Sequence, residues 1–505
     1  MAKIHPYTGI DDGELRIRED QEWQIERWMS EPTQAILCGS DMDTGKTLCT
    51  VEFALRMNFT RVLIVGIKDT FDGWRECAME QSDFFQDMRN IDATKHGQAN
   101  MAAYLRGDEG WFFIGQQYLT AKDWDVKRDK DGVPILKKKR KPDKTWIEVK
   151  QPIRLKTWDN VNPQLLVYDE VHIAANSKTG NWKTLVSLEA EWKLGLSGTF
   201  YGNNFVNAFG PARWLYPERI DASAYVWKSK WCLEETVRLK GGKTTTKVIG
   251  EKNPGEFVAS LPCFTSIDGG PEAPDAEVIE VELLPEQRRI YTELEKNLMT
   301  WLNGHPYAIE WPVALRTRLR TATLGSLSLD PETQAIYFAD DAESTKLNAL
   351  YPILERRWAG EKVVMCTDSK VFARHTALKL TARGHSVAVY SGDETPKQRT
   401  EIKERWLAGE LQYLVATSAF STGVNGYQRV CNKIVTLSKF DSGIHNRQFI
   451  KRIFRTSPIK DGFEHIYLSA KDTKDSGQYA SLELQGAAMR MSLRKDAMRK
   501  AAQAA

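Results

Sequence analysis

The stretch Ala35-Ile-Leu-Cys-Gly-Ser40-Asp-Met-Asp-Thr-Gly45-Lys46-Thr47 decides how the chain is read. An apolar run ends at Cys38, a loop of small and polar residues follows, and a helix-compatible segment opens at Lys46. This is the strand-loop-helix setting that a phosphate-binding loop requires. Backbone amides at such a helix start point at an anion, Lys46 would neutralise it, and the Thr47 hydroxyl would bind Mg²⁺. Asp43, Thr44, Gly45, Lys46 and Thr47 are therefore the expected nucleotide contacts, against the plain alternative of an ordinary capped helix.

Working outward, Leu165-Leu-Val-Tyr-Asp169-Glu170-Val-His172 ends another apolar run on two carboxylates, about 120 residues further on. Asp169 would hold Mg²⁺ and Glu170 would orient and deprotonate an attacking water, unless both merely cap a strand. Further still, Gln448-Phe-Ile-Lys-Arg452-Ile-Phe-Arg455 spaces two arginines three apart, which predicts one helix face. Planar guanidinium groups there suit the charge that builds on a transferring phosphoryl group, so Glu170, Arg452 and Arg455 are the candidate catalytic residues. A solvated basic helix is the bland alternative.

The surrounding pattern predicts an α/β chain. Short β-branched runs at 61–65, 111–114 and 165–168 alternate with helix-like segments, and the rhythm returns at 362–366, 386–390, 413–416 and 433–437, with helices at 369–382 and 397–408. Two lobes follow, each a parallel sheet flanked by helices. The expected domains are a first lobe over 1–235 with a basic hairpin insertion at about 124–152, and a linker with helical protrusion over 236–340. A second lobe over 341–475 and a helical tail over 476–505 complete the chain. Within the linker, 240–275 reads as loops and 285–320 as helical.

Composition narrows the class. With 505 residues and 42% apolar content the chain can build two or three cores. No apolar run reaches the roughly 18 residues of a spanning helix, and the first residues lack a signal-peptide core. The expectation is a soluble protein of a bacterial or phage-infected cytoplasm with no membrane partner, a nuclear location being less favoured. Seven scattered cysteines form no Cys-x-x-Cys pair, which excludes the usual structural zinc pattern and fits core filling. A net charge of +3 from 70 basic and 67 acidic residues says little about a polyanion partner, but residues 127–150 alone carry ten basic and four acidic groups. There, Asp131-Gly132 signals a hairpin turn, and Lys137, Lys138, Lys139, Arg140 and Lys141 form a basic run. That run is a contact for nucleic-acid phosphates, a solvated loop or a nuclear address.

In order and content these segments resemble superfamily two helicases and translocases, and most closely the Swi/Snf-type DNA-dependent ATPases, over about residues 15–470. Arg18-x-x-Gln21 resembles the adenine-reading Q motif, 61–65 through Trp74 resembles motif Ia, and Asp169-Glu170-Val171-His172 is similar to the DEAH box. Leu196-Ser197-Gly198-Thr199-Phe200 through Asn203 and Pro217 resembles motif III, and Ser344-x-Lys346-Leu347 the start of the second lobe. Ser421-Thr422-Gly423-Val424-Asn425 resembles motif V, and Gln448, Arg452 and Arg455 fall on motif VI. The resemblance implies two tandem RecA-like lobes, with ATP and Mg²⁺ as cofactors and Gln21 beside the adenine. It also implies coupling residues His172, Ser197, Gly198, Thr199, Thr422, Gly423 and Gln448. DNA is the implied partner, duplex favoured over single strands. Asp43 departs from the pattern, standing where the family has Gly and adding a carboxylate near the expected phosphates; Lys451 replaces Gly and Phe200 replaces Pro. The rivals are a strand-separating or RNA-directed helicase and a nucleotide-gated binding or remodelling subunit with weak ATPase.

Overall fold

The computed structural model describes residues 17–42, 44–81, 88–120, 124–126, 133, 136–140, 146–150, 152–154, 162–198, 200–201, 204–238, 244–269, 272–309, 312–421, 426–454 and 462–475. Seven strands form the first sheet, in the order Phe264–Thr265, Ala35–Cys38, Trp192–Leu196, Leu165–Asp169, Arg61–Gly66, Gly110–Gly115, Arg89–Ile91. Every pairing in it is parallel. A parallel sheet must be covered on both faces, and its apolar strands supply both. Ile36, Ile64 and Val167 pack one way against Trp28, Phe53 and Trp74 of flanking helices. Leu37, Leu63 and Tyr168 pack the other way with Trp214 and Trp227. The tryptophans expected in the core, Trp28, Trp74, Trp192 and Trp214, are all buried, as are the seven cysteines.

The second sheet has six parallel strands, in the order Glu277–Val281, Glu464–Ala470, Lys433–Thr436, Val363–Cys366, Tyr413–Ala416, Val387–Tyr390. The segment after Glu464–Ala470 is tied to the lobe by the fully buried Lys346, whose ammonium donates to Asp475 and to the Leu437 carbonyl, both at 2.6 Å. Removing either partner would strand a buried charge. The two-lobe α/β architecture is thus the one the strand rhythm predicts.

Three expectations need correction. Residues 240–275 are not only loops: Thr244–Glu251 pairs antiparallel with Cys232–Arg238, and Phe264–Thr265 completes the edge of the first sheet. Since Glu277–Val281 opens the second sheet, residues read as linker give one edge strand to each lobe. The 285–320 segment is likewise broken. Helices Pro285–Asn297 and Pro312–Leu324 flank a ribbon, Met299–Leu302 against His305–Ala308, whose turn residues Asn303 and Gly304 have φ of 39° and 83°. Asn-Gly favours this two-residue reversal because both positions need positive φ. In the basic insertion, Leu136–Arg140 pairs with Trp146–Lys150 and Trp124–Val126 with Pro152–Arg154. The Asp131-Gly132 turn signal and residues 141–145 lie outside the described residues. The last correction, to the arginine helix, belongs to the site. Both Lys141 and the tail at 476–505 lie outside the described residues. Among those described, no helix is long and apolar enough to cross a membrane.

Candidate active site between the lobes

Parallel pairing brings the C-terminal ends of Ala35–Cys38, Trp192–Leu196 and Leu165–Asp169 to one edge of the sheet, where α/β folds place ligands. Gly45 caps the helix Lys46–Arg56 with φ of 82°, a conformation that favours glycine, and a β-carbon there would lie 2.4 Å from Gln21 Nε2. The fully buried Gln21 donates from Nε2 to the Thr44 carbonyl at 2.9 Å and accepts from the Arg18 amide at 3.0 Å. Thr44 in turn donates to the Asp41 carbonyl at 2.8 Å. Lys46 Nζ curls inward to the carbonyls of Ser40 (3.0 Å) and Asp41 (2.7 Å), which centres its charge inside the loop. Thr47 is half-buried on the first helical turn, and Asp43 lies outside the described residues. The linker braces this loop from its edge. Gly39 and Asp41 amides donate to the carbonyls of Thr265 and Ile267 at 2.8 and 2.9 Å, and the Ile267 amide donates to Ser40 Oγ at 2.9 Å.

Asp169 ends its strand with one carboxylate oxygen accepting from Trp74 Nε1 at 3.1 Å and the other from the Glu170 amide at 3.0 Å. Burial, and then the charge of Glu170, push its carboxyl above the ordinary aspartate range, while Trp74 and Lys46 oppose them. Glu170 itself occupies the left-handed region at φ 52° and ψ 50°, a strain of about 1–3 kcal/mol that turns the chain sharply at the strand end. Its own burial disfavours the carboxylate, but His172, Lys46 and Arg452 outweigh that and hold its carboxyl below the usual glutamate range. His172 Nδ1 lies 2.8 Å from Ser197 Oγ and 3.2 Å from Glu170, joining the acid pair to the next strand end. Gly198 abuts Ser40 and Met42 of the phosphate loop. Thr199 lies outside the described residues.

The second lobe meets this edge with the helix Gly443–Ile450, capped by Ser442. Its end corrects the expectation of two arginines on one helix face. Arg452 and Ile453 amides bond three residues back, to Phe449 (3.1 Å) and Ile450 (3.0 Å), so the helix tightens into a turn before Arg452. Arg455, with Thr422 and Gly423, lies outside the described residues. Arg452 donates through Nε and Nη2 to the Ser421 carbonyl at 3.1 and 2.8 Å, and its charge reaches Glu170 across the cleft. Gln448 is buried with its Oε1 lacking a hydrogen-bond partner. His445 faces the same cleft, where burial and then the neighbouring His172 lower its basicity.

Three features escaped the sequence reading: the Trp74 bond to Asp169, the linker brace at 263–267, and an ion pair between Asp41 and Arg447. Of these only Trp74 carried a signal, as a tryptophan in a motif-like segment. The oxygens of Thr47 and Asp169 suit Mg²⁺, which takes few protein ligands and completes its octahedron from phosphate and water. Among the described residues no group of three or more His, Cys, Asp or Glu is placed to hold a metal by itself.

Residues 345–457, which hold four of the six strands of the second sheet and Arg452, match the helicase conserved C-terminal domain. Over 425 residues, 77% of this chain, the sequence is 24% identical to the SNF2 domain-containing protein CLASSY 3 of Arabidopsis thaliana, covering 29% of that protein. In sequence the chain is thus similar to Swi/Snf-type helicase cores of superfamily two, and its second lobe carries the helicase C-terminal domain. The chain is also 31% identical over 128 residues to the ATP-dependent RNA helicase RhlB of Xanthomonas axonopodis pv. citri (strain 306), covering 25% of this chain and 21% of that one. A solved structure of the Sulfolobus solfataricus SWI2/SNF2 ATPase core in complex with dsDNA aligns over 92% of this chain and 90% of its own at 16% identity, with a TM-score of 0.36. The chain spans less than a third of the length of the curated relatives it matches.

Proposed function

We propose that this chain is an ATP-driven DNA translocase whose hydrolytic site lies between its lobes. One observation carries the reading: the Glu170 carboxylate feels Lys46 from its own lobe and Arg452 from the other. A base set between a phosphate-binding lysine and a guanidinium of a second lobe is what phosphoryl transfer to water needs. Lys46 and the amides opening its helix hold the phosphates, Gln21 closes the loop beside Gly45, and Glu170 takes the proton of the attacking water. Arg452 turns from the Ser421 carbonyl toward the charge that develops. Bound between Thr47, Asp169 and the phosphates, Mg²⁺ would neutralise that charge. His172 and Ser197 carry the state of Glu170 to the next strand end, and with Gly198, Thr199, Thr422, Gly423 and Gln448 they couple it to grip on the nucleic acid. ATPase rates with no nucleic acid, duplex DNA, single-stranded DNA and RNA test the reading. Duplex DNA should stimulate most, and stimulation by RNA alone would replace DNA as the track.

The basic hairpin is proposed to touch the backbone of that track. Its backbone ladder sets Lys138 opposite Glu148 and Arg140 opposite Trp146. Changing Lys137, Lys138, Lys139, Arg140 and Lys141 to Ser should weaken DNA binding and flatten its dependence on log salt by about 2–4 units of slope, while basal ATPase survives. An unchanged slope would mark the run as a solvated loop.

Strand separation is a second reading, favoured by the ribbon between the two linker helices. Its outer face shows Met299 and Trp301, 45% and 52% exposed, and an exposed indole can stack on an unpaired base for about 1–3 kcal/mol. Under this reading Trp301→Ala abolishes unwinding of a forked duplex and keeps duplex-stimulated ATPase. A natural protein that releases no strand from the fork leaves translocation alone.

A further inference from the structure

The lobes are joined beside the nucleotide site by a contact that the catalytic reading does not use. Arg447, on the helix that leads to Arg452, donates both terminal nitrogens to the carboxylate of Asp41, at 2.9 and 2.7 Å. Asp41 belongs to the phosphate loop, 406 residues away in sequence. The same guanidinium reaches Glu272 at 2.6 Å. Glu272 stands where the chain leaves the phosphate loop for the second sheet, so first lobe, crossing chain and second lobe meet on one side chain. Asp41 is fitted closely into this joint: a β-carbon on Gly269 would lie 2.6 Å from its Oδ2. With side-chain exposures of 22% for Arg447 and 14% for Asp41, the pair is shielded from the screening that weakens surface ion pairs.

We propose that Arg447 is a positioning residue, a latch that seats the arginine-bearing helix on the phosphate loop and holds the two lobes together. The proposal rests on the two-lobe ATPase reading for its kinetic consequence but not for the latch itself. Arg447 precedes Arg452 by five residues, and Asp41 precedes Lys46 by five as well. Fixing the first pair therefore fixes the approach of the second. The forked, bidentate geometry demands arginine, since a lysine keeps the charge and loses one of the two bonds. A second ion pair between the lobes, Arg399 with Asp69, lies elsewhere on the cleft and limits how far they part when the latch is lost.

Lobe separation is measured by energy transfer between labels on cysteines introduced at Glu189 and Glu404, one on each lobe and both exposed. The native thiols are buried and do not compete for label. Without nucleotide, Arg447→Ala and Asp41→Ala should each widen the separation, and the double variant should match the wider single one. Arg447→Lys should fall between. In steady-state kinetics Arg447→Ala should lower kcat for DNA-stimulated hydrolysis about 10–100-fold, as a displaced catalytic group does, with KM for ATP changed less than threefold. Asp41→Arg combined with Arg447→Asp should recover closure relative to either reversal alone. Separation unchanged in Arg447→Ala, or a reversed pair no better than the single reversals, overturns the latch. If the unaltered protein hydrolyses no ATP, the function reading fails while the energy-transfer result still decides the latch.

Discussion

Glu170→Gln should reduce ATP hydrolysis by about 10²–10⁴-fold, the range for a lost general base, and leave ATP binding intact. Lys46→Ala should abolish hydrolysis by a different route, because it removes the ammonium held at the Ser40 and Asp41 carbonyls and with it affinity for the phosphates. Glutamine keeps the shape of the side chain and the left-handed backbone at φ 52° tolerates it as it tolerates glutamate, so only the ability to accept a proton is lost. Equilibrium binding of a fluorescent ATP analogue and single-turnover hydrolysis separate the two. Equal loss of affinity in both variants would deny Glu170 its role. His172 gives a further control: it lies 3.2 Å from Glu170, and its loss should raise the carboxyl pKa and narrow the pH range of hydrolysis from the acid side. The sign follows from linkage, since a carboxylate that loses a stabilising neighbour is protonated at higher pH.

What could be read in the sequence was what is local. A strand, a loop and a helix start sit next to one another between Ala35 and Thr47, and the same adjacency exposes Asp169 and Glu170. The buried parallel strands announced themselves because strands covered on both faces are apolar throughout, as Val363–Cys366 and Tyr413–Ala416 are. The two-residue edge strand Phe264–Thr265 carries no period to detect, and only its pairing with Leu37 and Cys38 makes it a strand. Asn303-Gly304 was a readable hairpin signal masked by charged residues of helical spacing on both sides. Helical spacing also misled at Arg452, where Arg452 and Ile453 bond three residues back rather than four. Arg447 and Asp41 look like ordinary surface charges in sequence, and only the packing of one lobe on the other makes them partners.

Arg452→Ala should spare ATP binding and cut DNA-stimulated turnover by about 10³-fold or more, the scale of a lost arginine finger. The guanidinium is tethered to the Ser421 carbonyl of its own lobe, so removing it costs the first lobe no contact with nucleotide. Its charge nevertheless reaches Glu170, which places its loss at the reacting centre rather than at the grip on ATP. Arg452→Lys should remain impaired by well over tenfold, since a point charge replaces a planar fork. This variant also separates chemistry from closure. Because the bonds of Arg452 to the Ser421 carbonyl stay within the second lobe, their loss in Arg452→Ala should leave the distance between the lobes as it is, whereas Arg447→Ala should widen it. A mild, KM-dominated defect in Arg452→Ala would mean that the second lobe supplies no catalytic charge, and the cleft would then be a binding switch instead of a hydrolytic site.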